Sequence, residues 1–347
     1  MTIRPHVPIR RPLRRAGTIA GAALVVALLS GCSGTGAQSA KVEESATDAD
    51  ATITVESCGK TITLDGPPKR VLFQNAIGVA QMAQLGVLDT LVAHAGDIDT
   101  SLYAPEQREI LDKVPVLGGT DTGHGHTKLS TEAILDADVD LVVGYPSGVE
   151  DRDKVMEAGV PVYFPSSYCP DRAAAPAKFS DITDDMTAFG TMFGLEDKAA
   201  QINDALRKRI DSIETSHDKE FEGKTGAFLF ITPGDTGTIS VYANQSMAQV
   251  QMDALGIKNP YADLPKRVND ISAEDLLEKN PDFIVLLHTA GTNDEVLDTF
   301  KQIRGTEKLK AFTEGNVTVM AYPLVDPPSP LTVEGAEKLP ERLSSTK

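Results

Sequence analysis

The sequence predicts an α/β protein of two similarly built lobes joined by one long rigid helix. Three observations carry this expectation. First, the run Glu196–His217 places Ala199, Ile202, Ala205, Leu206, Ile210 and Ile213 at three- and four-residue steps with no Gly or Pro, the pattern of a helix with one buried face. Its length would be about 30 Å, and its acidic first turn (Glu196, Asp197) suits the helix dipole. Second, Leu129–Gly144 and Ile271–Leu286, on either side of that helix, repeat one pattern 142 residues apart: apolar, Ser, small, Glu, a short helix, an acid, then a buried strand. Third, near-continuous apolar strands alternate with helical stretches in both halves, which indicates parallel sheets covered on both faces.

The first 31 residues stand apart from this fold. Five arginines (Arg4, Arg10, Arg11, Arg14, Arg15) precede the apolar run Ile19–Leu29 and the small residues Leu29-Ser30-Gly31-Cys32, an export signal too short to span a membrane. The closing tetrapeptide resembles a bacterial lipobox, which would make Cys32 the lipidated first residue; a plain secretory signal is the alternative. The RRPLRR run leaves Sec and twin-arginine export both open. Residues 32–51, small and acidic without apolar periodicity, read as a flexible tether.

Two alternating segments, Thr52–Ser57 and Lys60–Asp65, then form a hairpin around Cys58-Gly59. Strands follow at RVLFQN, TLVAHAG, VPVLGG, DLVVGYP and VPVYFPSS. Helices are expected at AIGVAQMAQLG, Ala104–Asp112, Thr131–Asp136, Asp151–Ala158 and Phe179–Phe193. The second half repeats the theme with strands GAFLFITP, TISVYANQ, DFIVLLHT and VTVMAYP. Its helices are Met247–Leu255, the second twin motif, Asp294–Ile303, Lys308–Phe312 and one after the Pro-rich turn Asp326–Pro330. The expected boundaries are 52–194 for the N-terminal lobe, 195–222 for the connector and 223–347 for the C-terminal lobe.

The chain has 347 residues and a formal charge of −17, made more acidic still by loss of the arginine-rich signal. This argues against nucleic acid and against anionic lipid surfaces as partners. With Cys32 assigned to lipidation, Cys58 and Cys169 remain, and an even pair in an exported protein forms a disulfide. Closing so long a loop would add about 4–5 kcal/mol by the chain-entropy model.

Ligands of open parallel sheets bind beyond the carboxyl ends of the strands. Those ends carry Gln74, Asn75, His94, the loop histidines His124 and His126, Tyr145, Tyr168, Tyr242, His288 and Tyr322. Such side chains suit a chelated metal, a haem iron or hydrogen bonding to a large polar ligand. Arg267 adds a cation for an anionic ligand, although a solvated loop charge explains it equally well. Tyr103, Phe164 and Tyr261 could add aromatic walls to the site, although such residues are more often core. No nucleophile elbow, zinc-protease helix, Walker loop or Cys-x-x-Cys pair occurs, so a binding role is favoured over an enzyme. A surface metallo-enzyme using His94, His124, His126 and His288 is the reading from a different class. Glu132 and Glu274 each follow a helix-capping Ser by two positions; they serve the helix dipole, or present one carboxylate per lobe to arginines of a partner.

The lipobox, SCGKTITLDGPPKRV, KVPVLGG, TEAILDADVDLVVGYPS, PVYFPSSYC, the long helix and SAEDLLEKNPDFIVL together resemble the solute-binding lipoproteins of ferric-siderophore, haem and cobalamin ABC importers. The resemblance covers about residues 53–345. It implies two Rossmann-like lobes with a rigid connecting helix, and capture of an iron chelate at the outer face of the cell membrane by a lipid-anchored monomer. It further implies delivery to a permease with its ATPase, docking through Glu132 and Glu274, and no covalent cofactor. The Cys58–Cys169 pairing resembles a subset of the family. A ferric siderophore is the first ligand class, haem held by His and Tyr the second and a corrinoid the third. The absence of Trp, and of an Arg beside Tyr242 in VYANQS, departs from parts of the family.

Overall fold

The computed structural model describes residues 52–122, 127–170, 175–216 and 221–344, all within one compact unit, Asp48–Lys347. The export signal, Cys32, the tether, His124 and His126 lie outside the described residues.

The chain opens with the antiparallel hairpin β1 (Ile53–Ser57) and β2 (Lys60–Leu64). Its two-residue turn, Cys58-Gly59, has positive φ at both positions (52° and 71°), the geometry that matches strand twist in a tight hairpin. Then come β3 (Val71–Gln74), α1 (Val79–Leu85), β4 (Leu91–Ala95), α2 (Pro105–Leu111), the short strands β5 (Thr120–Asp121) and β6 (Thr127–Lys128), α3 (Thr131–Asp136), β7 (Leu141–Val143), α4 (Arg152–Glu157) and β8 (Val162–Tyr163). Strands β4-β3-β7-β8 form a wholly parallel sheet in that order. Two helices follow, α5 (Ser180–Met192) and α6 (Glu196–Thr215).

The second sheet is built from β9 (Gly226–Phe230), β10 (Ile239–Tyr242), β11 (Val268–Ile271), β12 (Phe283–His288) and β13 (Val317–Ala321), in the order β11-β10-β9-β12-β13. Helices α7 (Met247–Ala254), α8 (Ala273–Lys279), α9 (Asn293–Gln302), α10 (Lys310–Thr313) and α11 (Pro330–Ser344) complete it.

The α/β, two-sheet architecture is the one the sequence predicts, with three differences of detail. VPVLGG is not a strand beyond a single bridge between His94 and Val116, and Val116 is 66% exposed, because the β5–β6 hairpin carries the chain off the sheet edge. In the second sheet β9, β12 and β13 are parallel, but β10 runs antiparallel to both β9 and β11. The link between β9 and β10 is too short to hold a crossover helix, so the chain must reverse. Strand β11 has no apolar run of its own and is held by the edge of β10.

Helix α6 buries Ala199, Leu206, Ile210 and Ile213 as its periodicity requires, but Ala205 faces solvent and Asn203 is buried instead. The Asn203 amide donates to Thr183 O (3.0 Å) and Thr187 Oγ1 (2.9 Å), pinning α6 to α5. Arg209 makes a two-pronged pair with Glu337 of α11, both distances 2.7 Å. The sheets are not joined by α6 alone. Phe73, Val143, Phe189, Phe228, Val285 and Leu331 belong to one continuous apolar core, so the two halves pack directly on each other. Tyr103, Phe164 and Tyr261 are buried, as expected of core residues.

Candidate functional site

At the carboxyl end of the first sheet, Gln74 sits fully buried under the turn after β7. Its amide NH2 donates to Gly148 O while its Oε1 accepts from the Tyr145 backbone N–H (3.3 Å). A Cβ on Gly144 would overlap Gln74 Oε1, so the glycine is what lets this clamp close. Gln74 therefore holds the protein's own loop and Tyr145 within it. Asn75 takes the left-handed conformation (φ 56°) that Asn tolerates, and its N–H donates to Ala95 O (2.5 Å).

Tyr145 is itself buried; its hydroxyl donates to Thr127 O (3.2 Å) and its ring lies 6.1 Å from that of Tyr168. Tyr168 ends a 3-10 turn, Ser166–Tyr168, immediately before Cys169. The Cys58–Cys169 disulfide is formed, tying this turn to the first hairpin across 111 residues.

From the second sheet, Tyr242 ends β10 and Arg267 immediately precedes β11. Antiparallel pairing sets Tyr242 opposite Val268, and the Ala243 N–H donates to Arg267 O (3.0 Å). Backbone pairing thus brings an arginine alongside Tyr242, where the stretch VYANQS has none of its own. It arrives from another strand. Its guanidinium lies over the Tyr168 ring, 4.9 Å from the centroid, and forms an ion pair with Asp326. Tyr322, just past β13, donates to Asp326 Oδ2 (3.3 Å), and its hydroxyl lies 3.3 Å from that of Tyr168. Phe230 meets the Tyr322 ring edge-on at 6.2 Å. Asp326 Oδ1 accepts from the Met247 N–H (3.2 Å) at the start of α7.

Five predicted residues are thus gathered into one cluster spanning both sheets: Tyr145, Tyr168, Tyr242, Arg267 and Tyr322. A cavity of about 530 Å³ opens beside it, lined by Tyr242, Arg267, Tyr322, Phe230, Asn269 and Thr289 among others, within the range of small-molecule sites. A larger cavity, about 670 Å³, lies at the other end of α7 around Lys178, Glu222 and Asp253, away from the strand ends, and holds none of these groups.

Burial pushes the Tyr168 and Tyr242 hydroxyls well above the usual phenol range, and Tyr145 upward as well, so these three are neutral donors at physiological pH. Burial works against the charge on Arg267, but the protonated guanidinium is still favoured overall, and Asp326 is its ion-pair partner. Arg267 is a part-buried cation paired with a buried carboxylate, not a solvated loop charge.

The histidines are not drawn into the cluster. His94 is buried with Nδ1 2.9 Å from Gly96 O, and burial lowers its pKa. His288 has both ring nitrogens engaged, Nδ1 with Ala290 O (3.1 Å) and Nε2 with Asn293 Oδ1 (2.9 Å). It borders a separate cavity of about 460 Å³ alongside Asn293 and Asp99. Among the described residues, no group of three His, Cys, Asp or Glu side chains is arranged to hold a metal ion, and no helix is long and apolar enough to cross a membrane. Sequence reasoning missed Asp326 and Phe230. The signal for Asp326 was a lone acid in the apolar, Pro-rich turn LVDPPSP.

Glu132 and Glu274 are exposed second residues of α3 and α8, each behind a Ser whose hydroxyl accepts from the backbone N–H three residues on (both 3.1 Å). Each helix leads into a parallel strand of its sheet, β7 or β12, so the two glutamates hold corresponding positions in the two halves.

A family profile described as periplasmic binding protein matches residues 78–322. The chain belongs to this family. Among solved structures, this periplasmic binding protein is 34% identical to an ABC-type Fe3+-hydroxamate transport system protein from Saccharomonospora viridis. That match covers 84% of this chain and 98% of the other, with a TM-score of 0.77. The fold is also shared with a periplasmic binding protein from Veillonella parvula, 19% identical over 85% of this chain and 98% of the other, TM-score 0.66. A periplasmic haem-binding protein from Pseudomonas aeruginosa is 18% identical over 81% of this chain and 94% of its own, TM-score 0.64. No curated protein matches the chain.

Proposed function

We propose that this periplasmic binding protein is the receptor of an ABC importer, capturing a ferric hydroxamate siderophore outside the cytoplasm and delivering it to the permease. The observation that carries this reading is the 34% identity to the Saccharomonospora viridis Fe3+-hydroxamate transport protein over 84% of the chain. The chemistry of the cluster agrees with it. Neutral tyrosine hydroxyls and one arginine beside a cavity of about 530 Å³ can hydrogen-bond the oxygens of a chelate whose iron is already fully coordinated. Tyr145, Tyr168, Tyr242, Arg267 and Tyr322 are assigned to the ligand. Gln74, Asn75, His94 and His288 support loops around it.

In this reading no bond is made or broken; the receptor binds and releases. Cys32 carries the lipid, residues 32–51 tether the body to the outer face of the membrane, and the lobes are residues 52–194 and 223–347 about a connector at 195–222. Glu132 and Glu274, one per lobe, pair with arginines of the permease, whose ATPase drives uptake; the receptor acts as a monomer. Haem is the second ligand reading, with His124, His126 and Tyr242 as the groups that would ligate its iron.

The test is uptake of a radio-iron hydroxamate chelate by cells carrying the chain or its Glu132→Arg/Glu274→Arg variant. Uptake by the parent, lost in the variant while binding by the purified variant is unchanged, supports receptor and docking together. No chelate uptake dependent on the chain would overturn the reading.

A further inference from the structure

The residues around the tyrosine cavity raise a question of charge. Arg267 and Lys266 line it, and so does Asp270, which accepts from Ser240 Oγ (2.9 Å). Asp326, only 1% exposed, stands behind Arg267 as its ion-pair partner. Among the described residues, Arg267 and Lys266 are therefore matched by one carboxylate in the wall, Asp270, and one behind it, Asp326. The aromatic groups add hydroxyls and π-faces without formal charge. Beyond the wall, the whole chain carries −17, a background that repels anions.

We propose that Asp326 is a built-in counter-ion which keeps the cleft electrically neutral, so that the receptor selects uncharged ferric chelates and rejects anionic ones. This rests on the proposed role as a chelate receptor and adds the rule by which it chooses. The chemistry separates the classes sharply. Three singly charged hydroxamates around Fe3+ give a neutral complex, whereas three doubly charged catecholates give a trianion. A trianion meets an Arg267 whose charge is already balanced by Asp326, which is held at three points: Arg267, the Tyr322 hydroxyl and the Met247 N–H. A neutral chelate needs only hydrogen bonds and contact with the aromatic rings, and leaves the pair intact. Specificity then comes from a carboxylate that never touches the ligand. A purely structural Asp326, there to anchor Tyr322 and α7, would instead support all ligands equally.

The experiment titrates the purified exported chain with ferrichrome (an uncharged ferric trihydroxamate) and ferric enterobactin (a trianionic tricatecholate), and reads the ratio of their dissociation constants. The wild type is expected to favour ferrichrome by about ten-fold or more. Asp326→Asn keeps an oxygen for the Met247 N–H but leaves Arg267 uncompensated; it should shift the ratio toward the trianion by about ten-fold or more. The double variant Arg267→Gln/Asp326→Asn, neutral again, should return the ratio to the wild-type side. Equal or tighter binding of the trianion by the wild type overturns the proposal without any variant. So does an Asp326→Asn change that weakens both chelates by the same factor. If neither chelate binds the wild type, the receptor reading itself fails, an outcome distinct from loss of selectivity.

Discussion

The hydroxyls of Tyr168 and Tyr322 lie 3.3 Å apart although 154 residues separate them in the chain. One belongs to the turn after the last strand of the first sheet, the other to the turn after the last strand of the second, so their contact closes the cluster across the two halves. Tyr322→Phe removes this contact and the bond to Asp326 while keeping the ring against Phe230. A stability loss of about 1–3 kcal/mol in urea unfolding is expected, together with weaker chelate binding. Unchanged affinity would remove Tyr322 from the ligand site.

The Cys58–Cys169 bridge fixes the residue next to Tyr168 to the β1–β2 turn. Cys58→Ser/Cys169→Ser should cost about 2–5 kcal/mol of stability. Chelate affinity should fall as well, because Tyr168 loses its neighbouring anchor. Calorimetric unfolding and ligand titration on the same sample check both parts.

Gly335 in α11 lies so close to the Leu324 carbonyl that a Cβ would overlap it. Leu324 is backbone between Tyr322 and Asp326, so it cannot swing aside as a side chain could. Gly335→Ala should destabilise by about 1–3 kcal/mol and loosen the Tyr322–Asp326 turn. A wild-type melting temperature would contradict this.

Burial holds His94 below its usual pKa in the folded state. The unfolded chain therefore binds the extra proton first, as pH falls through about 6.5. His94's contribution to stability is present above that value and declines as pH falls toward its lowered folded pKa, below which both states are protonated and no more is lost. His94→Asn, which can still donate to Gly96 O, should flatten the decline between pH 7.5 and 5.5 as measured by urea midpoints at about those values. An unaltered slope would assign the pH dependence to other groups.

Much of the fold was legible because it depends on local patterning. The α6 stripe, the Ser-capped twin helices and the apolar strands all announce themselves within a few residues. The elements that were misread depend on what they meet. β11 is a strand only because β10 offers an edge, and Asn203 is buried only because Thr183 and Thr187 of α5 accept its amide. The site divides the same way. The tyrosines were legible from their positions at strand ends. The ion pair of Arg267 with Asp326 was not, since 59 residues separate the partners and only the fold brings them together. His94 and His288 stood at strand ends too, but a backbone carbonyl two residues on claims Nδ1 of each ring. Position alone could not distinguish a loop-fixing histidine from a ligand.

The most direct test of the receptor account is an equilibrium titration of the purified exported chain with ferrichrome, the metal-free trihydroxamate and haemin. With no Trp in the sequence, emission comes from seven tyrosines, four of which (Tyr145, Tyr168, Tyr242 and Tyr322) belong to the cluster. The account predicts saturable quenching by ferrichrome at micromolar or tighter affinity, with a much weaker response to the metal-free compound. A Soret shift with haemin that disappears on substitution of His124 or His126, accompanied by no response to ferrichrome, would contradict it.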